Sequence, residues 1–170
     1  MTRSITLQFC AFKSPFGAII PWFTQGPVGH VDAVADDGSL WGAQHKGGLD
    51  GSGSPSGVQI RSPDYGATCG MINRVRFTIP VSDAQHECFW GFQQDQLGKP
   101  YDDTAIAAFV AGRNWHQLNA WICSELQAEA TNVAKLFPCH FWQPSNCVTP
   151  NALAFAYSAF ALPQFLPEYR

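Results

Sequence analysis

Strand signals fill the first half of the chain and helix signals the second, and this segregation is what most narrows the fold. Residues 4–10 alternate, with Ile5, Leu7 and Phe9 on one face, as a half-buried strand does. His30-Val31-Asp32-Ala33-Val34-Ala35 reads as a buried strand and Asp36-Asp37-Gly38-Ser39 as a tight turn. Leu40-Trp41-Gly42-Ala43-Gln44 is then the returning partner, because Asp-Gly supplies the backbone a short hairpin needs. Residues 58–61 make a short strand, residues 63–66 a turn, and residues 73–79 a clean alternation with Val75, Phe77 and Ile79 inward. The pattern then changes. Ser82, with Gln85 three residues on, forms a capping box opening a helix to about Leu97, and Gly98-Lys99-Pro100 ends it. Residues 103–112 predict a second helix. Cys123 to about Leu136 predicts a third, with Leu126, Ala130, Val133 and Ala134 as its apolar positions. Thr149-Pro150 opens a last helix over about 151–160, and the closing residues read as irregular. Strands first and helices after predict an α+β fold, an antiparallel sheet packed against helices. The 170 residues contain no repeat and no linker, so residues 1–170 read as a single domain.

Hydrophobic residues make up 46% of the chain and charged residues only 14%, and 13 Phe, 6 Trp and 4 Tyr supply a core that needs no metal or disulfide staple. The net charge of -3 and the lack of a basic stripe argue against a nucleic-acid partner. Arg74 and Arg76, the one close basic pair, read as a solvated strand face. No apolar run approaches the length of a membrane span. Residues 1–9 are too short and too alternating for a secretory signal core. The expectation is therefore a protein made in the cytoplasm with reduced cysteines, compatible with release by lysis or by a dedicated machine. Cys139, His140 and Cys147 are metal-ligand types without a zinc spacing, and His45, His86 and His116 are scattered. No metal and no cofactor is expected. Nucleophile-elbow, Walker and dinucleotide motifs are absent.

Two residues stand out as chemical candidates. Cys123 sits at a helix start, where free backbone N–H groups and the helix dipole favour a thiolate. Ser124 and Glu125 follow it as polar neighbours of the same pocket. His30 heads an apolar strand, an odd place for packing alone, and suits a general base. A third group would orient the imidazole. Asp32 shares the strand face of His30, and Gln44 can reach across from the partner strand; the sequence leaves the choice open. His45 would face the other way, and Gln59 and Asp64 are poorer choices. The Pro-, Gly- and aromatic-rich segment 15–27, with Trp22, has the composition of a shaped loop lining a site, and the Gly/Ser-rich segment 46–57 that of a flexible one.

At these residues the chain resembles the circularly permuted NlpC/P60 papain-like cysteine peptidases and amidases. Trp121-Ile122-Cys123-Ser124-Glu125-Leu126 resembles their nucleophile segment, and Gly29-His30-Val31 their histidine strand. Gly38-Ser39-Leu40-Trp41-Gly42-Ala43, Gly57-Val58 with Tyr65, Leu97-Gly98-Lys99-Pro100-Tyr101-Asp102, and Thr149-Pro150-Asn151 with Leu153 match further stretches, in order, from about residue 20 to 160. The resemblance implies a permuted papain-like fold in which histidine precedes cysteine. It gives Cys123 the nucleophile's role, His30 the base's, and Tyr101 a place at the oxyanion pocket. It implies hydrolysis of an amide bond in a small peptide, peptidoglycan peptides among them. Hydrolysis of acyl, lipid or thioesters, or acyl transfer, is the nearest alternative. An inactive binding or structural protein is the third, the histidine region being similar to phage-encoded members. Many relatives carry a glutamate where this chain has Gly42, so here Gln44 or Asp32 would have to supply the orienting group.

Overall fold

The alternating segment at the start of the chain becomes the middle of a sheet. β1 (Arg3–Phe12) pairs with β2 (His30–Val34) on one side and with β5 (Met71–Val81) on the other. β3 (Leu40–Gln44), β4 (Gly57–Arg61) and β6 (Gln164–Phe165) complete a six-stranded sheet of order β4-β3-β2-β1-β5-β6, with every pairing antiparallel. This computed structural model describes residues 3–13, 22, 26–45, 56–68, 70–105, 117, 119–138, 140–141 and 143–168. Most of the two expected loops at 15–27 and 46–57, and the expected helix over 103–112 from residue 106 onward, lie outside them.

The β2–β3 hairpin closes as its Asp-Gly turn predicts. Gly38 has φ +84°, and its N–H donates to the Ala35 carbonyl at 2.9 Å. Among the described residues four α-helices follow from β4 onward: α1 (Tyr65–Thr68), α2 (Asp83–Gln96), α3 (Cys123–Val133) and α4 (Pro150–Ser158). Ser82 caps α2 with the expected reciprocal box, the Gln85 N–H donating to Ser82 Oγ at 3.3 Å and the Ser82 N–H to Gln85 Oε1 at 3.1 Å. The Gln85 amide also donates to the Lys135 carbonyl at 2.8 Å and so ties α2 to the end of α3.

One sheet face forms the main core. Ile5, Leu7 and Phe9 lie beside Ile79, Phe77 and Val75 and cluster with Val31, Ala33, Phe89, Ala128, Ala130, Leu153 and Tyr157. Full burial of side chains such as Leu7 and Phe9 stabilises the fold by roughly 1.5–3 kcal/mol each. The opposite face carries a smaller cluster of Cys10, Phe12, Leu40, Tyr65 and Met71.

Five expectations need correction. The third helix stops at Val133 rather than near Leu136, because Lys135 takes a left-handed φ of +50° and the Leu136 N–H turns back to the Thr131 carbonyl at 3.1 Å. Val133, expected on the apolar side, is exposed. The turn at 63–66 continues into α1, and the last helix covers Pro150–Ser158 rather than 151–160. The tail is not wholly irregular: Phe165 pairs with Val75, and the Leu166 N–H donates to the Arg74 carbonyl at 3.0 Å. A two-residue strand bounded by Pro163 and Pro167 carries no alternation to read.

Candidate active site

Two independent stretches of backbone bring His30 and Cys123 together. On the histidine side, Cys10 faces His30 across β1–β2, and the Gly29 N–H donates to the Cys10 carbonyl at 2.9 Å. Asn151, in the first turn of α4, clamps the preceding residue. Its Oδ1 accepts from the Val28 N–H at 3.2 Å and its Nδ2 donates to the Val28 carbonyl at 2.8 Å. A side chain at Gly26 would collide with this amide.

On the cysteine side, the edge of β4 holds the segment after α2. The Gly98 N–H donates to the Val58 carbonyl and the Val58 N–H to the Lys99 carbonyl, both at 2.9 Å. Gly57, with φ +112°, is required here, because a Cβ would strike the Lys99 carbonyl. The same segment then pairs with the approach to α3. The Trp121 N–H donates to the Pro100 carbonyl at 3.0 Å, and the Asp102 N–H donates to the Trp121 carbonyl at 3.1 Å. Cys123 is thereby delivered as the first residue of α3, over a cluster of Ala43, Val58, Tyr101, Ile122 and Leu126. The Gln127 side chain fixes the helix to the sheet through a 3.0 Å bond to the Trp41 carbonyl.

The site is a buried row of charges. His30 is 4% exposed, Cys123 3% and Asp32 1%. His30 Nε2 lies 3.0 Å from Asp32 Oδ2. An ionised carboxylate only accepts, so Nε2 is the donor, and Nδ1 remains on the other side of the ring. Cys123 lies close enough for its charge to act on the imidazole. Burial alone would lower the His30 pKa. The Asp32 charge and hydrogen bond, with the charge of the nearby Cys123, outweigh burial and raise it to about 9. Asp32 is held below the usual carboxylate range: burial opposes this, but Arg61 and His30 together prevail. Arg61, itself buried, donates from Nη2 to Asp32 Oδ1 and from Nη1 to Gln44 Oε1 at 2.7 Å, and its guanidinium lies 4.9 Å over the Tyr65 ring.

The sequence left Asp32 and Gln44 as alternatives, and the structure separates them. Asp32 is bonded to the imidazole directly. Gln44 gives its amide oxygen to Arg61 and stands one step behind, bonded to the guanidinium rather than to the imidazole. The departure at Gly42 has a spatial reason: a Cβ there would overlap Asp32 Oδ1. Tyr101 is buried close enough to Cys123 to feel its charge, and burial first, then that charge, drives its phenol pKa up. Glu125 is buried at the start of α3, its carboxylate 3.5 Å from the Ile122 N–H. It reads as part of that helix's own cap, and burial raises its pKa to about 7. The Ser124 hydroxyl is fully buried and has no hydrogen-bond partner among the described residues. Trp22 is 73% exposed, and its neighbours in sequence lie outside the described residues. His45 faces Asp103, at 3.2 Å, and its ring stands perpendicular to that of Tyr101, with centroids 5.9 Å apart.

Arg61 is the site residue that sequence reasoning missed. Its signal was faint: one cation ending a short strand, two residues before a proline, beside a hairpin that carries a buried Asp. Among the described residues no group of three or more His, Cys, Asp or Glu side chains is arranged to hold a metal ion, and no helix is long and apolar enough to cross a membrane. No protein-family model matches the chain, and no curated protein sequence matches it.

Proposed function

We propose that the chain is a cysteine hydrolase that cleaves amide bonds through an acyl-enzyme on Cys123, on a papain-like fold in the permuted NlpC/P60 order. The observation that carries this reading is a single buried imidazole bonded to a carboxylate through Nε2, with a cysteine at a helix start close beside it. That geometry is what activation of a thiol nucleophile requires.

In this mechanism His30 Nδ1 takes the Cys123 proton, and the thiolate forms a C–S bond to the substrate carbonyl carbon. The negative oxygen of the tetrahedral intermediate meets backbone N–H groups at the start of α3, with the Tyr101 hydroxyl as a side-chain donor beside Cys123. The His30 imidazolium then protonates the leaving amine as the C–N bond breaks. Water, giving a proton to His30, attacks the acyl carbon; the C–S bond breaks, the carboxylic acid leaves, and the Cys123 sulfur takes its proton back from His30. The residues need no metal or organic cofactor for this sequence. The substrate class that goes with it is a small peptide, with peptidoglycan peptides the first to try.

The test is to incubate the protein with peptidoglycan-derived peptides and with p-nitrophenyl acetate, and to follow Cys123 by mass spectrometry. An acyl adduct on Cys123, lost in Cys123→Ala, together with release of an amine from peptides, supports the reading. Turnover of esters with all amides intact would move the assignment to ester or thioester chemistry. A folded protein that never acylates on Cys123 would overturn it.

A further inference from the structure

We propose that Arg61 is a positioning residue that makes the Cys123–His30 ion pair accessible by neutralising Asp32 from behind. This deepens the thiol-hydrolase reading and rests on it. The geometry is a linear relay across three strands and one helix. The Cys123 thiol meets His30, His30 Nε2 meets Asp32 Oδ2, Asp32 Oδ1 meets Arg61 Nη2, and Arg61 Nη1 meets Gln44 Oε1. Every member is at least nine-tenths buried.

Charge bookkeeping along this row defines the role of Arg61. With a neutral thiol and a neutral imidazole, Asp32 and Arg61 cancel. When the proton moves from Cys123 Sγ to His30 Nδ1, two charges of opposite sign appear, and the row stays neutral in an alternating order. Without Arg61 the row carries a net negative charge before and after the same transfer, in a site with little water to screen it. The row then favours taking up a proton from solvent, which gives an imidazolium paired with Asp32 beside a neutral thiol, a neutral state that has no nucleophile. Arg61 therefore acts on Cys123 through two intervening groups and touches no reacting atom.

The other titratable groups near the row come from every side. Tyr101 precedes α3 and Glu125 lies within it; Cys10 faces His30 from β1; Tyr65 lies against the Arg61 guanidinium; His45, just after β3, pairs with Asp103 beside Tyr101. Among these described groups none is a cation bonded to Asp32 other than His30 and Arg61. Two local features fit a dedicated cradle. Gly42 lacks the side chain that would displace the Asp32 carboxylate, with its missing Cβ 3.1 Å from Arg61 Nη2. Gln44 holds the far side of the guanidinium and has its own Nε2 buried without a partner among the described residues, so its one bonded atom serves Arg61.

The experiment measures the rate of Cys123 alkylation by iodoacetamide between pH 5 and 10 in the full chain. It compares the parent, Arg61→Lys, Arg61→Met, Asp32→Asn and the double variant Asp32→Asn/Arg61→Met. The expected result is a fall of about tenfold at pH 6 in Arg61→Met with the high-pH rate unchanged, and a smaller fall in Arg61→Lys. Because Arg61 acts through the Asp32 charge, adding Arg61→Met to Asp32→Asn changes the pH 6 rate by no more than about threefold. A merely structural role predicts a further loss in the double variant, which gives up a second buried partner. An unchanged profile in Arg61→Met, or a double variant about tenfold slower at pH 6 than Asp32→Asn, overturns the proposal. If Arg61→Met does not fold, the comparison of Asp32→Asn with the double variant decides alone: similar rates support it and a tenfold further loss overturns it. His30→Ala is run alongside. A parent profile indifferent to His30 would defeat the hydrolase reading itself, which is a different failure.

Discussion

Gly42 and the carboxylate of Asp32 claim the same volume, for the Cβ that Gly42 lacks would overlap Asp32 Oδ1. A glycine in mid-strand is ordinarily a weakness, since it gives up packing and backbone entropy. Here it lets a carboxylate from the neighbouring strand lie flat between His30 and Arg61. Gly42→Ala is therefore expected to destabilise the fold by about 1–3 kcal/mol and to slow Cys123 alkylation at pH 6 by about tenfold. Gly91→Ala in α2, where an added Cβ meets nothing within 4 Å, should leave that rate alone and stabilise the fold by about 0.5–1 kcal/mol. Urea unfolding and the alkylation rate check both variants.

Breaking the Asp32–Arg61 pair from one side should cost more than removing a surface ion pair, because the partner left behind is a buried charge. Asp32→Ala is expected to lose about 3–5 kcal/mol, against about 0–1 kcal/mol for Asp83→Ala, which disturbs the exposed Arg3–Asp83 pair. Equilibrium denaturation of the two variants gives the comparison.

The His30 pKa is raised from 6.5 to about 9, so folded His30 binds its proton more tightly than the unfolded chain does. The stabilisation that follows is fully present below pH 6.5 and is lost as pH rises through about 9. Stability should fall across that window by an amount on the order of 3 kcal/mol in the parent and much less in His30→Ala. Denaturant midpoints at pH 6 and pH 9.5 measure it.

Tyr101 is buried beside Cys123 without belonging to the charge row. Tyr101→Phe keeps the ring, and so its packing with Val58 and Ile122, while deleting the hydroxyl. If that hydroxyl helps to hold the oxyanion, kcat for acyl transfer falls about 10- to 100-fold with little change in KM or in thermal stability. Steady-state kinetics and a thermal melt separate this from a packing defect.

Much of the sheet was legible because period-two alternation and turn chemistry are local. The Asp-Gly hairpin, the inward run Val75, Phe77 and Ile79, and the Ser82–Gln85 box all stand where the residues put them. Helix ends were less legible, since Lys135 adopts a left-handed conformation that its residue type does not announce. The short β6 escaped for want of any period. The nearness of Cys123, His30 and Asp32 in the candidate site was legible from a helix start and a shared strand face. The place of Arg61 behind Asp32 was not, because it depends on the β3–β4 register and on the space above Gly42, both of which are tertiary facts. The bond of Gln44 to Arg61 was hidden for the same reason.

The imidazole shared by Cys123 and Asp32 is tested most directly by the iodoacetamide reactivity of Cys123 as a function of pH in the parent and in His30→Ala. Reaction at pH 6 that is about tenfold or more faster in the parent, with the two proteins converging at high pH, is the expected result. Equal rates at every pH, each following the profile of an ordinary thiol, would contradict the ion pair and with it the nucleophile assigned to Cys123.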